Sequence, residues 1–219
     1  MNKFFLTISL TSWNIALLGL VVFTIFIIGI FPLSWHNELY NSFYTLIYLV
    51  AILAIKSKPK KLMSVAAIMI VLQWSTEFLE LDTLATATNI LSFIFFGYTA
   101  TKLIMQVATA EKVGGRVILE SVNGYLLMGL VFSIIVAMII KIDPGAINFP
   151  AANNLTAEDP IRFSDCLYYT FISITTMGYG DFVPTQAYTK SLATLIGVSG
   201  QLYVAIIIAL LVGKFSSQK

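Results

Sequence analysis

Six stretches of this chain are mainly apolar and close to the length of about 20 residues that a helix needs to cross a bilayer. They run over residues 11–31, 38–55, 62–79, 84–107, 117–140 and 188–213. A soluble domain covers itself with charge, at about a quarter Asp, Glu, Lys and Arg. Here those residues make up 11% of 219, against 58% hydrophobic residues. A core of that size cannot bury the excess, so lipid is the expected solvent and an all-α membrane protein the expected fold class. The first run follows Lys3 as a signal peptide would. However, residues 8–31 exceed a signal h-region and no small-residue cleavage site follows, so they read as a first transmembrane helix. The single cysteine, Cys166, excludes an intrachain disulfide.

Residues 141–187, between the fifth and sixth runs, are of mixed character. Residues 143–162 are rich in Pro, Asn, Ala and acidic side chains and read as an exposed loop. Ser164-Asp165 then offers a helix N-cap. The following apolar stretch, 166–175, is too short to span and fits a re-entrant helix. The basic residues order the topology. Lys56, Lys58, Lys60 and Lys61 follow the second run, Lys112 and Arg116 follow the fourth, and Lys3, Lys214 and Lys219 flank the two ends. Most acidic residues fall on the other side: Glu38, Glu80, Asp82, Asp143, Glu158, Asp159 and Asp181. Both termini are therefore expected in the cytoplasm of a multi-pass protein of the plasma (inner) membrane, with the re-entrant segment entering from outside. The short tail after Gly213 reads as carrying no regulatory domain.

The chemistry lies in Thr175-Thr176-Met177-Gly178-Tyr179-Gly180-Asp181, a motif that occurs once. An alkali cation leaving water must exchange its hydration oxygens for others of similar spacing and field strength. Backbone carbonyls serve if they all face one axis. An ordinary strand alternates them, and turning them to one side demands backbone angles that glycine adopts without steric cost. Gly178-Tyr179-Gly180 has the required alternation, and the Thr176 hydroxyl adds a ligand at the inner end. Irregular backbone at membrane depth is tolerated only where protein buries it or water fills it.

With these residues the chain resembles the potassium-channel family, whose filter loop is TVGYG. Met177 stands for the usual Val, a position that contributes its carbonyl. The resemblance covers residues 117–215 as outer helix, pore helix, filter and inner helix. It implies K+ coordination by Thr176, Met177, Gly178, Tyr179 and Gly180, with Thr175 and Asp181 as support. Tyr168 and Tyr169 stand where the family often has a tryptophan pair and would brace Tyr179 from behind. Pro184 follows the filter as in many members. Gly200 occupies the family's hinge position, with Gly197 a second bending point; close helix packing explains Gly200 equally well. Some bacterial members pair a pore-helix glutamate with the filter aspartate. That position is Ile172 here, so Asp181 needs another partner, for which Tyr168 is the candidate. The family's external mouth is ringed by the third residue after the final filter glycine, here Val183, with Phe182 as the alternative.

Six spans with the pore last follow the voltage-gated plan, in which the fourth helix carries Arg or Lys at every third position. Moving one charge through 100 mV is worth about 2.3 kcal/mol, so several are needed. Residues 84–107 contain only Lys102 and no arginine. Lys102 is most simply an interfacial anchor, and Glu77 either snorkels to the surface or lines a wet crevice. Residues 108–120 either lie along the inner membrane surface or form a plain connector. The sequon Asn154-Leu155-Thr156 and the lone His36, in a short outer loop, are discounted as modification and metal sites.

The resulting expectation is a prokaryotic-type six-transmembrane, pore-loop channel without a voltage-sensing arginine helix. Residues 1–110 form a four-helix peripheral domain and 111–219 the pore domain. The chain is expected to form a homotetramer in membrane lipid that conducts K+, with no cofactor, no enzymatic activity and no nucleic-acid partner. A nonselective relative is expected to have lost the Gly-Tyr-Gly pattern. A channel-related transporter is expected to carry four such loops in one chain. A non-conducting accessory subunit is distinguished only by a flux measurement.

Overall fold

The computed structural model describes residues 2–56, 60–79, 82–148 and 162–216. Its elements are almost entirely helical. In order they are α1 (Asn2–Phe26), two 3₁₀ turns (Ile28–Ile30 and Leu33–Trp35), α2 (His36–Ala54), α3 (Lys60–Leu79), α4 (Asp82–Thr109) and α5 (Gly115–Ile142). Then come β1 (Ile147–Asn148), α6 (Phe163–Ile174), β2 (Val183–Pro184) and α7 (Ala187–Ser216). Among the described residues, four segments are helical, long and apolar enough to cross a membrane: Leu10–Ile30, Thr86–Ala108, Gly115–Ile142 and Ala187–Ser216. The apolar helix Leu62–Thr76 is shorter. At 30 residues α7 is about 45 Å long. His36 is not in a loop, as expected, but opens α2, where its Nε2 bonds the Phe31 carbonyl at 2.9 Å.

By packing, the chain separates into two compact parts, Met1–Met128 with Ala209–Lys219, and Gly129–Ile208. Helices α5 and α7 each contribute residues to both parts.

In the first part, helices are pinned by buried side-chain hydrogen bonds. Asn14 and Asn123 are fully buried. The Asn123 amide donates to the Asn14 carbonyl at 2.9 Å, and Asn14 Nδ2 donates to the carbonyls of Leu10 and Ala54 at 2.9 and 3.4 Å. One pair of amides thus joins α1, α2 and α5. Tyr48 and Ser92 share a 2.7 Å hydrogen bond between α2 and α4. Gln73 Nε2 donates to Asn41 Oδ1 at 2.8 Å, and Trp74 Nε1 to Thr45 Oγ1 at 3.1 Å, tying α3 to α2. In lipid, where apolar contact gives no solvent-driven preference, such polar bonds between helices fix their neighbours.

The connector between α4 and α5 is shorter than the sequence suggests. Helix α4 runs to Thr109 and α5 starts at Gly115, so residues 115–120 belong to α5 and not to a surface linker. The side chain of Arg116 lies 3.3 Å from Glu120, one turn on. At the same end, Lys214 Nζ on α7 donates to the carbonyls of Val107 and Ala108 at 3.0 and 2.5 Å.

In the second part, the short helix α6 begins one residue before Ser164. Its N-cap is Arg162, not the expected Ser164-Asp165. Asp165 stands three residues in, where its Oδ2 accepts the Arg162 N–H at 3.3 Å, as the acidic member of a capping box does. Phe171 of α6 seats its ring against Gly129 of α5, where any side chain would collide with it. The sequon 154–156 lies outside the described residues.

Candidate functional site: an irregular strand of carbonyls

Helix α6 ends at Ile174, and the next residues fold back on its last turn. The Thr175 N–H donates to the Phe171 carbonyl at 3.1 Å, the Thr176 N–H to Ser173 at 3.0 Å and the Gly178 N–H to Ile172 at 3.0 Å. The Thr175 hydroxyl adds a second bond to the Phe171 carbonyl at 2.5 Å. A helix end leaves its last carbonyls without partners; here the following segment supplies the donors. The N–H groups of Thr175, Thr176 and Gly178 are thereby turned toward α6.

The carbonyls are left over. Among the described residues, no hydrogen bond of the chain ends on the carbonyl oxygens of Thr176, Met177, Gly178, Tyr179 or Gly180, and all five residues are exposed. Their backbone alternates. Thr176 has φ +60°, Gly178 +49° and Gly180 +80°, and these are the left-handed residues of the described chain. Alternating left-handed with ordinary residues is the condition for successive carbonyls to share a side. At Gly178 and Gly180 a side chain would find open space, so glycine is required by conformation and not by room. Thr176 is β-branched, and φ +60° is a true outlier for such a residue, costing on the order of 1–3 kcal/mol. It is held from both sides. Its N–H is fixed to α6, and its hydroxyl accepts Gln201 Nε2 of α7 at 3.3 Å while donating to the Thr175 carbonyl at 2.6 Å. Gln201 was not singled out from sequence. The available signal was a lone amide in an otherwise apolar run, beside Gly200.

The C-terminal end of the segment is anchored to α6, and the chain just beyond it to the stretch after α5. Asp181 takes the Tyr168 hydroxyl on Oδ2 at 2.6 Å and the Phe182 N–H on Oδ1 at 3.1 Å. Tyr168 is thus the partner that Ile172 cannot be; Ile172 is buried and offers only its carbonyl. The Phe182 ring packs against Tyr168 with centroids 5.1 Å apart, which leaves Val183 as the exposed residue of the pair. Strands β1 and β2 then pair antiparallel, Ile147 opposite Pro184 and Asn148 opposite Val183. Thr185 and Thr189 donate to the carbonyls of Gly145 and Ala146 at 2.6 and 2.8 Å.

Two further positions singled out from sequence have clear surroundings. Within one chain Tyr169 is buried, Tyr168 is engaged with Asp181, and Tyr179 is 69% exposed with its hydroxyl directed at Met177 Sδ, 3.7 Å away. Gly200 has a packing reason to be glycine. A Cβ there would collide with the carbonyl oxygen and Cγ1 of Ile174, whereas at Gly197 it would meet the Ser173 carbonyl at an ordinary 3.5 Å. Helix α7 is continuous through both.

Residues 130–217 match the family described as "Ion channel". Over 87 residues, 40% of this chain, the sequence is 32% identical to the potassium voltage-gated channel protein Shal of Drosophila melanogaster. Over the same length it is 31% identical to the A-type voltage-gated potassium channel KCND3 of Rattus norvegicus and of Homo sapiens. The matched stretch spans 15% of the length of Shal and 13% of that of KCND3. No solved structure matches the chain. The similarity is to channels.

Proposed function

We propose that the chain is one subunit of a potassium-selective channel, in which four copies present residues 176–180 to a common axis, as the carbonyl filters of potassium channels do. The observation that carries this is the segment itself. It has left-handed backbone at every second residue from Thr176 to Gly180, the N–H groups of Thr176 and Gly178 turned to α6, and exposed carbonyls with no partner among the described residues. One chain offers one such row, and a cation stripped of water needs oxygens on all sides. In lipid, exposed irregular backbone is stable only against protein or water, which a ring of copies around a wet axis supplies. Helix α7, apolar all round and exposed over most of its surface, accords with burial against other copies and lipid. The named relatives are potassium channels over the stretch they share.

In the same reading the chain crosses the membrane six times with both termini cytoplasmic, α6 re-enters from outside, and Tyr179 meets its aromatic neighbours on an adjacent copy. Helices α1–α4 form a peripheral domain that does not sense voltage. Helix α4 carries no arginine, and its single lysine, Lys102, lies over the Tyr98 ring at 5.3 Å, as an anchored interfacial cation would. The full chain in planar bilayers, with potassium and sodium exchanged across the membrane, tests the first claim. The reversal potential should follow potassium, and one indifferent to the exchange would refute selectivity. A conductance–voltage curve steep enough to need several gating charges per subunit would refute the second.

A further inference from the structure

Helix α4 stops at Thr109 with its last carbonyls unpaired within the helix, as helix ends do. Two of them accept from one cation, and the Val107 carbonyl also takes the Ala110 N–H at 3.3 Å. Lys214 Nζ, in the last turn of α7, donates to the Val107 carbonyl at 3.0 Å and the Ala108 carbonyl at 2.5 Å. A lysine here is doubly favoured, because its charge also sits at the negative end of the α4 dipole. The connector from α4 to α5 is only residues 110–114, so the end of α4 has little slack. The α4 end is further fixed to the chain just after α2, since Gln106 Oε1 accepts the Lys56 N–H at 2.6 Å.

We propose that Lys214 is a latch that holds the inner end of α7 on the peripheral helices and thereby keeps the pore's inner mouth wide. This rests on the reading of α7 as the pore-lining helix. Narrowing the mouth requires the ends of the four α7 helices to converge on the axis, and the Lys214 ammonium must then leave both carbonyls. Two charge-assisted hydrogen bonds are lost in that step, with the α4 terminus exposed to water in their place. The latch therefore biases the chain toward the open state and makes its gate responsive to movement of α4.

The test is single-channel recording of the full chain, Lys214→Met and Lys214→Arg in symmetric potassium. Lys214→Met should lower the ratio of open to closed time about tenfold, the scale of one hydrogen bond to a charged group, with unitary conductance and potassium selectivity unchanged. Lys214→Arg, which keeps the donors and the charge, should recover most of that ratio. An open ratio that is unchanged or raised in Lys214→Met overturns the latch while leaving the channel intact. If the unmodified chain fails to conduct potassium, the failure lies with the proposed function, and amide hydrogen exchange still decides the contact. Lys214→Met should speed exchange in the last turns of α4 and α7 together, and equal exchange in both proteins would show that Lys214 holds nothing.

Discussion

Residues 2–128 and residues 129–208 use their polar groups in opposite ways. In the first, buried side chains bridge helices whose backbones are regular: Asn14 with Asn123, Tyr48 with Ser92, Gln73 with Asn41. In the second, the backbone itself is the irregular element, and side chains such as Tyr168, Thr175 and Gln201 serve to hold it. The first arrangement produces a scaffold and could be built from many sequences. The second produces a row of unpaired oxygens and requires particular residues at particular positions. Substitutions in the first part should therefore move stability and leave ion selectivity alone; substitutions in the filter should do the reverse.

The sharpest break of that contrast is Gly178→Ala. At φ +49° a side chain strains the backbone and turns the carbonyl aside. Potassium selectivity or conduction should be lost in bilayer recordings while the protein still assembles in detergent; a selective Gly178→Ala channel would contradict the carbonyl site. Next is Gly200→Ala, which drives a methyl into the Ile174 carbonyl. The expected cost is about 1–3 kcal/mol or more, as for other overpacked sites, and it should appear as a lowered melting temperature. Gly197→Ala should be neutral or stabilising by up to about 1 kcal/mol, through helix propensity. If instead both variants alter gating and neither alters melting, these glycines bend α7 rather than admit a neighbour.

On the scaffold side, Asn123→Ala leaves buried polar groups of Asn14 unpaired and should cost about 1–3 kcal/mol of stability. Its reversal potential in a potassium–sodium gradient should match that of the unmodified chain. A shift in reversal potential would show that the two parts are not separable in function. The smallest effect is expected at the mouth. Phe182 is turned onto Tyr168 and Val183 is the exposed residue. External tetraethylammonium should block weakly, and Val183→Tyr should strengthen the block by about 0.5–2 kcal/mol per cation–π contact. Tight block of the unmodified channel that disappears in Phe182→Ala would reverse that assignment.

The same contrast governs what could be read from sequence. Gly178 and Gly180 announced their backbone, since a residue free to take positive φ in alternation has few other uses at membrane depth. For Asp181 the family resemblance implies a pore-helix partner, and with Ile172 at the glutamate position Tyr168 is one candidate; the structure shows that bond. Thr176 was not readable as a left-handed residue, because threonine has no preference for that region; tertiary contacts with Ser173 and Gln201 impose it. The start of α6 was misplaced because Asp165 resembles a cap when it is in fact the third residue in, answering Arg162. The α4–α5 segment mixes charged and apolar residues, which suits a surface connector and an early helical turn equally, and only packing decides. Gly200 showed itself as small, but whether small means flexible or crowded depends on Ile174, 26 positions away. The Asn14–Asn123 pair, separated by 109 positions, left no local trace.

The two glycine notches that hold α6 also set an order of events during synthesis. Gly129 receives the Phe171 ring and is translated before it; Gly200 lies under the Ile174 carbonyl and is translated after it. At 12 residues α6 is too short to partition into the bilayer as an independent helix. While residues beyond 174 are still emerging, it has one wall and no second. The carbonyl row cannot take its shape until Gly200 has been translated and α7 has closed on Ile174.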